Sequence, residues 1–256
     1  MAENYRELFD NYFEVVLADT PELRKEVFRT RYEVYCEERL VPDFDPDKYP
    51  RGLEEDEYDD HSIHSLLYHR DTGQIAGTVR LICCDPDNPN TKLPIEEFAE
   101  PYVERSALAL DCSHRECIAE ISRLLLTKNF RSRPGEYTKP YGYNGVARES
   151  KAPDRPDNRR RFPHAVLGLM VAVGEMSARH GITHWYAAME PHLNLLLRAF
   201  ALDLNPIGPV IEYHGPRQPY LSDAVKLLEK TYLKKREIWD LVTKYGTLWN
   251  PPSLPS

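Results

Sequence analysis

Four polar residues stand where apolar ones are the rule. Glu120, Ser122 and Arg123 interrupt the apolar run Ile118–Leu126, and Arg80 interrupts Gly77-Thr78-Val79-Arg80-Leu81. Both runs have the length and composition of strands. A charge in a sheet interior is costly unless it is paired, so Arg80, Glu120 and Arg123 need partners. The acidic stretch Glu54-Glu55-Asp56-Glu57-Tyr58-Asp59-Asp60 supplies them, with Asp56 and Asp59 the candidates, and Arg31 and Tyr35 lie on the helix before it. An ionic lattice joining that loop to two strands would make one wall of a pocket for a polar substrate. Strand alternation sets Glu120 and Ser122 on one face and Ile121 and Arg123 on the other, unless a bulge intervenes. The plainer alternatives are a structural ion pair at Arg80 and a solvated loop at Asp56 and Asp59.

Two further clusters carry chemical side chains. Cys112-Ser113-His114-Arg115-Glu116-Cys117, with Cys83 and Cys84, could offer metal ligands, but the spacing fits no familiar zinc box. It reads instead as a loop before a strand, with Cys117 buried as a small apolar residue. Arg159-Arg160-Arg161 is either a solvated charge run or a docking patch for an acidic protein.

The elements that must position these residues follow from periodicity. Residues 12–18 read as a strand. Thr20 caps a helix that has Pro21 at its first position and buries Leu23, Val27, Phe28, Tyr32 and Tyr35. Residues 41–60 form a loop, and strands at about 62–69 and 74–83 meet at Asp71-Thr72-Gly73. A small helix at Pro94–Phe98 and a strand at about 117–126 follow. Residues 131–163, rich in proline, glycine and charge, read as a mobile insertion. Then come an apolar helix from Ala165 to His180 closed by Gly181, a strand at 183–189, a helix at 191–202, a strand at 208–213 and an amphipathic helix at about 222–244. An antiparallel first half and an alternating second half imply a mixed sheet with helices on both faces, in one domain.

Composition narrows the function classes. The net charge of −8 argues against general nucleic-acid binding. No run reaches the ~18 apolar residues of a membrane span, and the polar N-terminus lacks signal-peptide order. Five cysteines, two of them adjacent, do not suggest a disulfide framework, so a cytoplasmic, reducing location is expected.

In order along the chain, Arg31-x-x-x-Tyr35, Glu54-x-Asp56-x-x-Asp59, Arg80 and Glu120-x-Ser122-Arg123 resemble the acyl-homoserine-lactone synthases, autoinducer synthases of the GNAT superfamily. The resemblance is clear over about residues 12–130 and is one of pattern over 163–213. The Arg31–Tyr35, Asp59-Asp60-His61-Ser62, Gly77–Leu81 and Glu120–Arg123 runs look most like the acyltransferases associated with bacterial PEP-CTERM/exosortase systems. Arg24-x-x-x-Phe28 offers the first motif in a second register. The tryptophan that follows that motif in the synthases has no counterpart in Glu38-Arg39-Leu40-Val41, which leaves the acceptor open.

The resemblance implies a GNAT-like three-layer α/β sandwich with a splayed central sheet. It implies N-acyl transfer from an acyl-carrier-protein thioester to a small amine, with no bound cofactor and S-adenosylmethionine as the synthases' acceptor. Glu120 would be the base, and backbone N–H groups around Ser122 would face the thioester carbonyl. Arg31, Tyr35, Asp56, Asp59, Arg80 and Arg123 would bind substrate, and Arg159, Arg160 and Arg161 would dock the carrier protein. Ordinary acetyl-CoA enzymes cradle pyrophosphate in a glycine-rich loop at a helix start. Here Arg159–Ala165 has no glycine and carries Pro163, which favours a donor without a nucleotide diphosphate. An acetyl-CoA N-acetyltransferase and a non-catalytic ligand-binding module on the same fold are the competing readings.

Overall fold

The computed structural model describes residues 4–38, 43–85, 87–88, 91–103, 112–131 and 165–252, without the side chains of 112–114. The candidate docking residues Arg159–Arg161 and all of the 131–163 insertion except Arg131 lie outside the described residues.

The chain opens with a helix that the sequence reading passed over as a polar start. In α1 (Tyr5–Tyr12) the Asn4 side chain accepts from the Arg6 and Glu7 N–H groups, and Phe9 is the one fully buried side chain. Strand β1 (Phe13–Leu17) follows. Helix α2 (Pro21–Tyr32) is capped by Thr20 as expected and continues as one π-helical turn, Glu33–Glu37. Val27, Phe28 and Tyr35 are buried there, while Leu23 and Tyr32 are half-buried. Strands β2 (Ser62–His69) and β3 (Gln74–Cys83) form the expected hairpin. Helix α3 (Pro94–Phe98) and β4 (Ile118–Leu126) come next. Then follow α4 (Ala165–His180), β5 (His184–Met189) and α5 (Pro191–Ala199).

The last quarter departs from expectation. The strand foreseen at 208–213 is replaced by two short pieces, β6 (Asn205–Pro206) and β7 (Ile211–Glu212), and a long strand, β8 (Pro216–Asp223). The strand-breaking prolines at 216 and 219 masked β8. The helix foreseen at 222–244 is two helices, α6 (Ala224–Lys234) and α7 (Arg236–Thr243), separated by Lys235 in a non-helical conformation.

The sheet runs β1-β2-β3-β4-β5-β8-β6, with β7 on β8. All pairs are antiparallel except β4–β5. One face packs on α4, whose residues from Val166 to Ser177 are all buried, with Val79, Leu81, Ala119, Ile121 and Trp185 in the same core. The other face carries Ile82, Ile118 and Tyr186 against α3. Among the described residues no helix is long and apolar enough to cross a membrane.

Candidate active site

Three arginines and three carboxylates meet on the α2 side of the sheet. Arg31 pairs with Glu54 through Nε and forks onto Asp59 at 2.8 and 3.2 Å. Arg80 bonds Asp56 and Asp59, both at 2.6 Å, and donates to Ser122 Oγ at 3.2 Å. Arg123 closes the ring on Glu54 and Asp56, each at 2.9 Å. Charge balances within the cluster, which is why it can be buried. Arg31 and Glu54 are 0 % exposed. Burial alone would raise Glu54, but Arg31 and Arg123 outweigh it and hold the carboxyl at about 2. Asp59 is held well below its ordinary value by Arg31 and Arg80 in the same way. His64, buried 3.6 Å from Asp59, makes no hydrogen bond among the described residues. Burial, reinforced by Arg31, Arg80 and Arg24, pushes it down to about 3 and keeps it neutral.

Local backbone chemistry builds this ring. Asp56 and Asp59 form a reciprocal capping box on the 3₁₀ turn Glu57–His61, which fixes both carboxylates. Arg31, in the first of the two registers, enters the ring, whereas Arg24 reaches only the Asp59 carbonyl oxygen.

The bulge that strict alternation left open is present. Register slips between Thr78↔Leu125 and Arg80↔Ser122, so two residues of β4, Arg123 and Leu124, oppose Val79 alone. Arg123 adopts φ 50°. The extra residue turns Arg123 onto the face of Arg80 and Ser122, correcting the expectation that it shares a face with Ile121.

Glu120 is also placed differently from expectation. It lies outside the ionic ring and instead accepts from the Ile95 N–H at 2.9 Å. Helix α3 is held there by Glu96, which caps it and takes a bidentate pair from Arg115 at 2.8 and 2.9 Å. Glu120 is 4 % exposed. Burial raises its carboxyl to about 7, only partly opposed by the Ile95 N–H and by Arg80 and Arg123. Cys117, foreseen as buried, is half-buried. The side chains of Cys112 and His114 lie outside the described residues.

A cavity of about 330 Å³ connects these features, within the range of about 300–1,000 Å³ usual for small-molecule sites. One wall is the ring, through Asp56, Arg80, Ser122 and Arg123, with Tyr35 beside it. Glu120 also lines it. Its far end is apolar, lined by Leu124, Met170, Leu193, Leu197 and Leu204. Between them β4 and β5 splay. Their ladder ends at Ile121↔Ala187, while β5 stays paired with β8 as far as Met189↔Gln218. Backbone groups of Ser122–Leu124 therefore border the cavity without a β5 partner. Sequence reasoning missed a fourth side, Glu190, Tyr213, His214 and Arg217; it set a strand at 208–213 and none at 216–223, where β8 lies. The turn signal His214-Gly215-Pro216 was available.

Residues 30–138, which include every member of the ring and Glu120, match the family model described as an acetyltransferase (GNAT) domain. The fold is that of the GNAT acyltransferases. Similar solved structures cover almost the whole chain. A CoA-dependent acyl-homoserine lactone synthase, BjaI, solved with SAM and isopentyl-CoA, shares 19 % identity over 96 % of this chain and 95 % of its own, with a TM-score of 0.55. The AHL synthase LasI shares 16 % over 96 % and 100 %, with a TM-score of 0.56. TofI, in a ternary complex with an inhibitor and MTA, shares 16 % over 90 % and 97 %, with a TM-score of 0.54. At such identities the likeness is one of fold. No curated protein matches the sequence. The domain match and the architecture together indicate an acyltransferase.

Proposed function

We propose that the chain is an N-acyltransferase that moves a fatty acyl group from a carrier thioester to a small amine. One observation carries this reading: a single cavity joins a carboxyl poised near neutrality to a deep apolar end, at the splay of two parallel strands. The apolar end suits an acyl chain. An amine arrives mostly as ammonium and must lose a proton before its nitrogen attacks the thioester carbonyl. Glu120, with its raised pKa, is matched to taking that proton directly or through water. The backbone of Ser122–Leu124, which has no β5 partner, would offer N–H donors toward the oxyanion, and collapse of the tetrahedral intermediate expels the thiolate. The ionic ring, in which each carboxylate is shared by two arginines, serves as the rigid wall that fixes Ser122 and the bulge.

Acyl carrier protein is the proposed donor carrier, on the absence of a glycine phosphate loop at Arg159–Ala165. S-adenosylmethionine is the first acceptor to test, and the motif runs place the chain, on this reading, with the PEP-CTERM/exosortase-associated acyltransferases. Free Cys36, Cys83, Cys84 and Cys117 fit a reducing cytoplasm. The test incubates the chain with matched acyl-carrier-protein and acyl-CoA donors and S-adenosylmethionine or a panel of amino acids, and detects N-acyl products by mass spectrometry. Transfer from the carrier protein at higher kcat/KM supports the reading. Transfer of short acetyl groups from acetyl-CoA alone would replace it with the ordinary acetyltransferase.

A further inference from the structure

Glu120 is held from behind by residues that do not reach the cavity. Its Oε2 accepts from the Ile95 N–H at 2.9 Å. That N–H belongs to α3, a helix of five residues, too short to be fixed by its own hydrogen bonds. Packing supplies part of the hold: Leu93, Ile95 and Ala99 are buried in one cluster with Ile82, Ile118 and Tyr186. An ion pair supplies the rest. Glu96 Oε2 accepts from the Leu93 N–H at 2.9 Å, and Arg115 grips both carboxylate oxygens, Nη1 on Oε1 at 2.9 Å and Nη2 on Oε2 at 2.8 Å. Arg115 Nη2 also donates to the Thr91 carbonyl oxygen at 3.1 Å, so one guanidinium ties the approach to α3 to the turn before β4. The Arg115 and Glu96 side chains are 14 % and 8 % exposed, yet neither is among the described residues that line the cavity.

The same pair acts on Glu120 through charge. The groups that bear on Glu120 are Arg80 from β3, Arg123 from β4, Glu96 from α3, Tyr186 beside it on β5 and Tyr213 from the bend between β7 and β8. Asp56 pairs with both arginines, and burial raises both tyrosine hydroxyls and keeps them protonated. The cavity's other charged or titratable side chains are Glu57, Tyr35, Tyr58, His214 and the Glu190–Arg217 pair. Burial raises Glu120 most; the Ile95 N–H, Arg80 and Arg123 oppose it, and Glu96 adds to it. Arg115, itself pushed up by its bonds to Glu96, is the counter-ion that limits that repulsion.

We propose that Arg115 and Glu96 are positioning residues for the base: they hold the Ile95 N–H on Glu120 and, as a neutral pair, keep an uncompensated carboxylate from facing it. This rests on the acyl-transfer reading above and deepens it. The two residues touch no substrate, so they act on proton transfer and not on recognition.

The test reads Glu120 directly and then the reaction. In the full chain carrying glutamate enriched in carbon-13 at its side-chain carboxyl, the Glu120 signal is assigned by its loss in Glu120→Gln and followed against pH by NMR. The wild-type midpoint is expected at about 7. Arg115→Met leaves Glu96 without its counter-ion and loosens α3, so the midpoint should rise by about one pH unit. Glu96→Gln keeps an acceptor for the Leu93 N–H but removes the charge, so the midpoint should fall. Arg115→Lys restores the charge and should return it most of the way. Acyl transfer from acyl carrier protein to S-adenosylmethionine, or to the amino acid that the wild type acylates, should follow. At pH 7 the kcat of Arg115→Met should be about fivefold lower and recover by about pH 9, with KM for donor and acceptor unchanged. Glu96→Gln is nearly isosteric and reports even if Arg115→Met folds poorly. A midpoint that stays put in Glu96→Gln, or one that moves the same way in both variants, would overturn the positioning role and leave acyl transfer standing. A wild type that forms no N-acyl product, whatever the titrations show, would overturn the acyl-transfer reading and the base with it.

Discussion

Replacing Arg31 by Met should unfold the ring's balance without changing the helix that carries it. Arg31 is fully buried and is shared by Glu54 and Asp59. Methionine keeps the volume and the helix propensity but leaves three carboxylates facing two cations. Glu54 would keep only Arg123, and Asp59 only Arg80. The depression of Glu54 from 4.5 to about 2, made by Arg31 and Arg123 together, corresponds to about 3 kcal/mol of stability, an upper bound on the share of Arg31. The usual cost of removing one partner from a buried pair, about 3–5 kcal/mol, agrees with this. The sign with pH is fixed. A carboxyl whose folded value is depressed stabilises fully above its unfolded value near 4.5, and that contribution is lost as pH falls toward 2. Urea unfolding of both proteins should therefore show a deficit of about 3 kcal/mol at pH 7 that shrinks markedly by about pH 3. A loss below about 1 kcal/mol at pH 7, or one that does not change with pH, would refute the account of the ring.

Glu120 should show the opposite pH dependence. Its folded value, near 7, lies above the ordinary 4.5, so stability falls as pH rises between them. Glu120→Gln should gain up to about 3 kcal/mol relative to wild type on going from pH 5 to pH 8, and a difference independent of pH would contradict the burial argument. Leu197→Phe narrows the apolar end and should shift kcat/KM toward shorter acyl donors, at an overpacking cost of about 1–3 kcal/mol; an unchanged length profile would remove Leu197 from the acyl site. Gly77→Ala places a methyl inside contact distance of the Leu125 carbonyl oxygen and against Leu126, and should cost more than about 1 kcal/mol in thermal or urea unfolding, since β3 and β4 cannot part without moving Arg80 from Ser122.

Much of the frame was legible because local signals and tertiary context agreed. Thr20-Pro21 announced α2, Asp71-Thr72-Gly73 the first hairpin, and the unbroken apolar run after Ala165 the helix behind the sheet. The ring was legible for a different reason: arginines inside strands need acids, and Glu54–Asp60 was the nearby supply. What escaped was non-local. A bulge is a property of two strands, so alternation along β4 alone could not turn Arg123 to its neighbours' face. Nor could spacing reveal that Glu120 would take a backbone N–H from Ile95 rather than a ring arginine. Strand β8 was hidden by Pro216 and Pro219, and with it Arg217. Lys235 carries no helix-breaking signal, and after the break there α7 buries Trp239 and Leu241 in the main core.

The central claim is that Glu120 takes the proton of the amine acceptor. Single-turnover acyl transfer with saturating donor isolates that step from binding and product release. The account predicts that Glu120→Gln folds, binds donor as wild type does, and transfers the acyl group about a hundredfold more slowly, the usual scale for a lost general base. It also predicts that the wild-type rate rises with pH through about 7 and that this dependence vanishes in the variant. Transfer by Glu120→Gln at the wild-type rate would contradict the claim and leave Glu120 as a structural partner of Ile95.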